Sequence, residues 1–331
     1  MLFRAYRDRN DAAFLKSAET LIGDELAANH HARARELQKA LGESKPSRPV
    51  ALRPNGLATL PRDRRSGEEL VTLDSNSIDA TRLVLNETTR KQISRIVEEH
   101  RQRLDLAKFG LQPKSRLLFW GPPGCGKTLT AHYLAQEMSK PVGLVRLHAI
   151  ISSFLGDTAS HIQRVFDVAK ASPMLLLLDE VDSIAKNRDD PNDVGELKRV
   201  VNSLLQALDS FRPPDSLLVA ASNHQYLLDP AIWRRFDDVV LFPMPTVRER
   251  EPFLRRLLNG VRYEGSMPAL VKKTHSLSFA DIERIVGEAI KTAVLAGRDT
   301  LQSADICEQM NLFKSVMSAA KARPARHRNE R

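Results

Sequence analysis

The sequence predicts an α/β protein in which a parallel sheet is wrapped by helices and followed by an all-helical part. Two observations carry this prediction. Short apolar runs alternate with helical stretches between residues 116 and 241, which is typical of parallel strands joined by helical crossovers. From about residue 247 onward helical periodicity continues and no strand candidate is found. We therefore expect a sheet domain at residues 71–246 and a helical lid subdomain at residues 247–318.

Two segments precede the sheet domain. Residues 1–41 are predicted to form a small helical module, because apolar side chains recur there at helical spacing. His30 and His31 lie in this module, but no cysteine or carboxylate cluster completes a metal site, so exposed helix positions are favoured for them. Residues 42–70 contain four prolines among arginine, serine and glycine, a composition that predicts a flexible linker.

The predicted elements of the two domains follow in order along the chain. The strands are residues 116–120, 142–147, 174–178, 217–221 and 239–241. The helices are residues 89–106, 129–138 and 159–170 in the sheet domain and residues 253–258, 281–295 and 304–317 in the lid. Ser278 and Asp281 predict a capping box at the start of the second lid helix, because each side chain can pair with a free backbone amide of the other.

Composition excludes several classes of protein. The chain has 331 residues, of which 42% are hydrophobic and 27% charged, as in ordinary globular domains. Its apolar runs are much shorter than the roughly 20 residues that a membrane span requires, and its start lacks the apolar core of a signal peptide. Cys125 and Cys307 are the two cysteines, and a disulfide at Cys125 would obstruct a glycine-rich loop. A reducing compartment is favoured, and we expect a cytoplasmic protein.

The formal net charge is +9, and four of these excess charges lie in residues 319–331. A basic tail of this kind can contact nucleic acid or an acidic partner. A disordered, solubilising end is the favoured interpretation, because the tail contains Pro324 and has no apolar face.

A glycine-rich loop follows the first strand of the predicted parallel sheet. It matches the pattern G-x-x-x-x-G-K-[ST], with a strand before it and a helix after it. Glycines let successive backbone amides point at phosphate oxygens, the lysine reaches the β and γ phosphates, and the threonine hydroxyl holds Mg²⁺. We expect a nucleoside triphosphate to bind here, with contacts from Gly121, Pro122, Pro123, Gly124, Cys125, Gly126, Lys127, Thr128 and Leu129.

Two carboxylates come directly after the apolar strand at residues 174–178. They are Asp179 and Glu180. Because ligands bind at the carboxyl ends of parallel strands, both side chains should lie beside the glycine-rich loop. Asp179 is expected to support Mg²⁺, and Glu180 to orient and polarise the water that attacks the terminal phosphate. The pair and the loop together predict hydrolysis of a nucleoside triphosphate.

Polar residues after the next strand extend this site. Asn223 is the candidate to position the attacking water from its other side, with a simple turn residue as the alternative. Arg234 and Arg235 follow it, and guanidinium groups stabilise the charge of a transferring phosphate. If the site lies between subunits, both would act as arginine fingers on a neighbour's γ-phosphate. Surface salt bridges are the alternative for the two arginines.

The motifs in this order resemble those of the AAA family of ATPases. They are GPPGCGKT at residues 121–128, LLLLDEVDSIAKNR at residues 175–188, AASN at residues 220–223 and LDPAIWRRFD at residues 228–237. The resemblance covers roughly 230 of the 331 residues. It implies Mg²⁺-dependent ATP hydrolysis by a P-loop domain with a helical lid, in a homo-oligomeric ring that is usually a hexamer. Adjacent arginines resemble the branch with microtubule-severing and membrane-remodelling members.

The same resemblance implies a protein substrate. Phe154, Leu155 and Gly156 occupy the place of the family's pore loop, which carries an aromatic, an aliphatic and a glycine and grips an extended polypeptide. From composition alone, packing of Phe154 and Leu155 into the core is the alternative. The short N-terminal module resembles that of bacterial AAA proteins found beside subtilisin-like proteases, which implies a partner protease.

Two features depart from the family pattern. Phe279 and Ala280 stand where the lid often carries Gly-Ala near the adenine, so Phe279 is expected either to pack against the base or to displace the lid. Residues 71–75 replace the apolar-glycine stretch that usually lines the base pocket, and no base contacts can be assigned from them.

Three functions follow from these observations. The leading hypothesis is a ring ATPase that remodels, unfolds or translocates proteins through a central pore. A nucleic-acid motor or loader is the first alternative, supported by the basic tail. The second is a nucleotide-gated scaffold that assembles on ATP without mechanical work.

Overall fold

The protein's structure is a computed structural model that describes residues 60–63, 66–74, 82–152, 158–183, 194–213, 215–224 and 230–321. The chain divides into two units, residues 1–54 and residues 55–331, and every described residue belongs to the second. The predicted N-terminal module and nearly all of the basic tail lie outside the described residues. So do Phe154, Leu155 and Gly156 of the predicted pore loop.

A six-stranded sheet lies at the centre of the second unit. Its strands are β1 (Val71–Asp74), β2 (Arg116–Trp120), β3 (Val142–Val145), β4 (Leu175–Leu178), β5 (Leu217–Ser222) and β6 (Asp238–Leu241), in the spatial order β1-β3-β4-β5-β2-β6. Strands β2 to β6 pair in parallel, which confirms the predicted sheet. Strand β1 adds an antiparallel edge, a common feature of such sheets.

Helices precede or connect these strands. They are α1 (Glu87–Arg101), α2 (Arg103–Lys108), α3 (Lys127–Glu137), α4 (Leu147–Ser152), α5 (Thr158–Ala171), α6 (Val194–Ser210) and α7 (Pro230–Trp233). The predicted strand at residues 142–147 is shorter than expected because Leu147 begins α4. None of the helices in the described segments has the length and apolar character of a membrane span.

The sheet is buried on both faces. Successive strand residues point to opposite sides, so Leu176 and Leu178 join one hydrophobic cluster while Leu175 and Leu177 join the other. All four are at most 2% exposed. A strand buried on both faces reads as a continuous apolar run, which explains why β4 is so easily recognised in the sequence.

The chain after β6 folds into a helical lid with a hydrophobic cluster of its own, as predicted. Its helices are α8 (Val247–Leu257), α9 (Met267–Lys273), α10 (Phe279–Leu295) and α11 (Ser303–Lys321). Ser278 and Asp281 form the predicted capping box. The lid also contains two paired strands, β7 (Arg262–Glu264) and β8 (Thr300–Gln302), which sequence reasoning missed because three residues are too few to show a period of two.

The end of the predicted linker packs on the sheet domain. Leu70 is fully buried, and its N–H donates to the carbonyl oxygen of Pro61 at 2.9 Å. The Asp63 N–H donates to the carbonyl oxygen of Glu68 at 2.8 Å, closing a turn. The packed domain therefore starts at least ten residues before the predicted boundary at residue 71.

Candidate active site

The glycine-rich loop connects β2 to α3, in the context that its sequence predicts. Gly121 has φ 147°, and a Cβ atom there would lie 2.1 Å from the carbonyl oxygen of Phe242. Gly124 has φ 73°, and a Cβ atom would lie 2.5 Å from Ser278 Oγ in the lid. Both positions therefore require glycine, and the second places the lid directly against the loop.

Lys127 begins α3 and points back into the loop. Its side-chain ammonium donates to the carbonyl oxygens of Gly121 at 2.7 Å and Pro122 at 2.9 Å, and the residue is only 6% exposed. Burial lowers the pKa of Lys127 below its ordinary value. A buried cation of this kind favours an anion beside it, because an anion compensates the lost hydration.

Thr128 and Asp179 form a pair of oxygen groups next to this lysine. The hydroxyl of Thr128 donates to Asp179 Oδ2 at 2.8 Å, and Asp179 Oδ1 accepts from the N–H of Glu180 at 2.9 Å. Among the described residues, no group of three or more His, Cys, Asp or Glu side chains is placed to hold a metal ion. One carboxylate and one hydroxyl suit Mg²⁺, which typically completes its shell with substrate phosphates and water.

Glu180 and Asn223 lie at the carboxyl ends of β4 and β5. Glu180 is exposed and has φ 53°, a left-handed conformation that is uncommon outside glycine. The Asn223 N–H donates to Asp182 Oδ1 at 3.1 Å, and Asp182 is 1% exposed. Asp182 therefore fixes the backbone at Asn223. It is a supporting residue that sequence reasoning missed, although it lies in the same motif as Glu180.

These side chains converge on one cavity of about 440 Å³. Predicted site residues on its wall are Pro123, Gly124, Gly126, Lys127, Thr128, Leu129, Asp179, Glu180 and Asn223. Gly121, Pro122 and Cys125 do not line it, although the first two accept hydrogen bonds from Lys127. The structure thus brings the cation, the two carboxylates and the amide of the predicted site together.

Comparison with known proteins identifies the family to which this arrangement belongs. Residues 117–244 match the model of the AAA family, described as ATPase family associated with various cellular activities. Uncharacterized AAA family ATPase y4kL of Sinorhizobium fredii is 37% identical over 299 residues, which are 89% of this chain and 88% of that protein. The chain belongs to the AAA family of ATPases.

A second relative of this AAA ATPase is the proteasome-activating nucleotidase of Sulfurisphaera tokodaii. It is 30% identical over 239 residues, which are 70% of this chain and 61% of that protein. The chain therefore aligns with less than two thirds of the nucleotidase. The family membership confirms the prediction that the protein binds and hydrolyses ATP.

The two predicted finger arginines of the AAA ATPase lie outside its own cavity. Arg234 is exposed at the end of α7. Arg235 is partly buried, its Nε lies 3.4 Å from Asp209 Oδ1, and it donates to the carbonyl oxygen of Ala231 at 2.9 Å. Within one chain, therefore, neither arginine reaches the wall formed by Lys127 and Glu180.

The other end of the cavity is lined by four apolar side chains from two distant parts of the chain, with the charged residues Arg82, Arg256 and Glu283 beside them. Leu83 and Val84 precede α1, while Phe253 and Phe279 belong to the lid. The two phenylalanine rings lie 4.8 Å apart at 54°. Sequence reasoning singled out Phe279 but missed the other three, because nothing in their local sequence marks them. Residues 71–75, which departed from the family pattern, contribute β1 and do not line the cavity where they are described.

The lid of the AAA ATPase is docked on the loop with Phe279 in place. The N–H of Ala280 donates to the carbonyl oxygen of Gly124 at 3.2 Å. Of the two outcomes expected for Phe279, displacement of the lid is therefore not observed. Cys125 belongs to the loop, but its side chain packs into the hydrophobic cluster on one face of the sheet, where it is 2% exposed and its sulfur lies 3.8 Å from that of Met244. Burial raises the pKa of its thiol.

Proposed function

We propose that this AAA ATPase works as a homo-oligomeric ring, a hexamer by family likeness, and couples Mg²⁺-dependent ATP hydrolysis to the remodelling, unfolding or translocation of protein substrates. The observation that carries the ATPase half is the convergence of Lys127, Asp179, Glu180 and Asn223 on one cavity. The protein-remodelling half is supported by the pore-loop sequence and by a relative named for activating the proteasome.

Each polar side chain has a distinct role in this proposal. Lys127 exchanges its two carbonyl acceptors for β- and γ-phosphate oxygens, which are stronger partners for a cation. Thr128 and Asp179 would hold Mg²⁺, which would supply positive charge against the phosphates. Glu180 accepts a hydrogen bond from the attacking water, and Asn223 orients that water from the opposite side.

The ring is supported by the position of the arginines. Arg234 is exposed and does not line the cavity of its own chain, so we assign its stabilisation of transferring phosphate charge to the site of a neighbouring copy. A head-to-tail arrangement places such a surface residue against the next copy's cavity and closes into a ring. Hydrolysis then depends on assembly.

The substrate is proposed to be an extended polypeptide in the cytoplasm. Phe154 and Leu155 would grip its backbone at the pore, and a partner protease would receive it. Nucleic acid is the competing substrate, on account of the basic residues 319–331.

A comparison of added polymers tests this function. ATP turnover of the full chain is measured alone, with an unfolded protein and with single-stranded DNA. We expect stimulation by the unfolded protein, loss of that stimulation in Phe154→Ala, and its retention in Leu104→Ala, a matched removal of an apolar side chain that is 75% exposed elsewhere.

Two results would contradict the proposal. Stimulation by DNA alone that disappears when residues 319–331 are deleted would favour a nucleic-acid motor. Turnover that responds to neither polymer, with full biological activity in Phe154→Ala, would favour a scaffold.

A further inference from the structure

Asp237 lies two residues after Arg235 and is fixed by several hydrogen bonds. Its Oδ2 accepts from the backbone N–H groups of Ser115 and Arg116, both at 2.9 Å, and its Oδ1 accepts from the guanidinium groups of Arg116 at 2.5 Å and Arg212 at 3.3 Å. Its own N–H donates to the carbonyl oxygen of Arg116 at 2.8 Å. The carboxylate therefore ties the segment after α7 to the first residue of β2.

Arg116 extends this connection into the core. Its side chain is only 6% exposed, and its second terminal nitrogen donates to the carbonyl oxygen of Leu208 in the last turn of α6, at 2.9 Å. Burial alone would raise the pKa of Asp237, but the hydrogen bonds from Arg116 and Ser115 outweigh it and hold the pKa below its ordinary value. A buried guanidinium requires such partners, because an unpaired charge there is strongly destabilising.

The end of α6 also holds Arg235. Asp209 follows Leu208, and its Oδ1 lies 3.4 Å from Arg235 Nε. Arg235 thus makes its contacts within its own chain, whereas Arg234 is exposed. Adjacent arginines that look equivalent in the sequence are held differently in the fold.

We propose that Asp237 and Arg116, together with the Asp209 and Arg235 pair, form a positioning clamp that presents Arg234 to the nucleotide of a neighbouring subunit. Arg234 is then the finger, and Arg235 is an anchor. This inference rests on the proposed ring. An arginine on the protein surface contributes to transition-state stabilisation only if its backbone is held in place, since misplacement of about 1 Å can cost on the order of 100-fold in rate.

Mixed rings test the clamp. Subunits with Glu180→Gln donate an intact finger but do not hydrolyse ATP at their own site, while Asp237→Asn subunits keep their own site and lose the clamp. We expect rings of Asp237→Asn alone to lose about tenfold or more in kcat with KM for ATP within about twofold, because the cavity of each chain is untouched. Mixing the two kinds of subunit should restore turnover at hybrid interfaces.

The next residue provides the matched control. Asp238 also pairs with a cation, Lys114 at 2.5 Å, at the same end of the sheet, but neither is hydrogen-bonded to the arginine segment. Asp238→Asn should keep the turnover of the unaltered ring. Equal losses in Asp237→Asn and Asp238→Asn, or no recovery of Asp237→Asn on mixing, would overturn the clamp.

A second pair of variants keeps the clamp testable where Asp237→Asn does not fold. Lysine retains a charge but lacks the planar fork of arginine. Arg235→Lys should retain most turnover, because its role is an ion pair with Asp209, whereas Arg234→Lys should lose most of it. Equal losses in both would overturn the clamp. Failure of the ring itself is recognised separately, because mixing Arg234→Ala with Glu180→Gln would then restore nothing.

Discussion

The two ends of the nucleotide cavity are formed by different kinds of interaction. At the phosphate end, Lys127, Asp179 and Asn223 follow the carboxyl ends of three strands that are neighbours in the sheet. At the other end, where we infer that the base binds and which we call the base end, Leu83 and Val84 meet Phe253 and Phe279 of the lid, with Arg82, Arg256 and Glu283 beside them. The first end uses charges and hydrogen bonds fixed by backbone geometry, and the second uses contact area.

This difference predicts how each end responds to change. A charged group or hydrogen-bond donor cannot be replaced in its role by an apolar side chain. A substitution at the phosphate end therefore removes a whole interaction. Apolar contact declines in proportion to the area removed. We therefore expect a steep loss of nucleotide affinity at the phosphate end and a graded one at the base end.

Lys127→Ala should have the largest effect on binding. In the proposed complex the ammonium makes two charge-assisted hydrogen bonds to phosphate oxygens, each contributing about 1.5–3 kcal/mol, so ATP affinity should fall by at least about 100-fold. Equilibrium titration with a fluorescent ATP analogue measures the loss. Lys140→Ala is the matched control, because Lys140 is also a partly buried lysine with a pKa lowered by burial, yet it lies away from the cavity. Unchanged affinity in Lys127→Ala would contradict the phosphate-binding role.

The same contrast explains what could be predicted from the sequence. The places of Gly124, Lys127 and Asp179 on the cavity wall were predictable, because the phosphate-binding pattern sets particular residue types at fixed spacing beside a strand. Phe253 was not, since any large apolar side chain on a lid helix has the same local pattern. Its place in the cavity arises from packing of the lid against the loop, and no periodicity records that packing.

The fold likewise has parts that the sequence predicts and parts that it does not. The central strands were predictable because burial on both faces gives continuous apolar runs, as in β4. The packing of residues 60–63 and 66–70 was not, because these residues are joined by backbone hydrogen bonds, such as that from Leu70 to Pro61, which leave no hydrophobic pattern. A segment rich in proline and arginine therefore reads as a linker although its last part packs.

Phe279→Ala should have an intermediate effect. The substitution removes aromatic surface from the base end and the ring contact with Phe253, which together predict a loss of about tenfold in ATP affinity, equivalent to roughly 1.4 kcal/mol. Competition by inorganic tripolyphosphate should be unchanged, because the phosphate end is intact.

Phe313→Ala is the control for the lid. Phe313 packs on the same lid core, and the guanidinium carbon of Arg284 lies 5.9 Å from the centre of its ring. Phe313 does not line the cavity. It should leave affinity for ATP near that of the unaltered protein. Equal weakening of ATP and tripolyphosphate by Phe279→Ala would show that the ring acts on the whole lid rather than on the base end.

Arg82→Ala should have the smallest effect, and it tests the tie between the segment before α1 and the lid. Arg82 donates to Glu283 of the lid at 2.6 Å, and both residues line the cavity. The pair is exposed, with side chains 58% and 47% accessible, so it contributes at most about 1 kcal/mol. Loss of this tie should speed nucleotide dissociation by no more than about fivefold at low ionic strength. At about 1 M salt, where the screening length is roughly 3 Å, the difference in dissociation rate between Arg82→Ala and the unaltered protein should vanish.

Arg62→Ala is the control, because the 2.8 Å pair of Arg62 with Glu69 is similarly exposed but does not line the cavity. A larger effect of Arg82→Ala that persists in high salt would instead mean that Arg82 contacts the nucleotide itself, so that a charge contributes to binding at the base end.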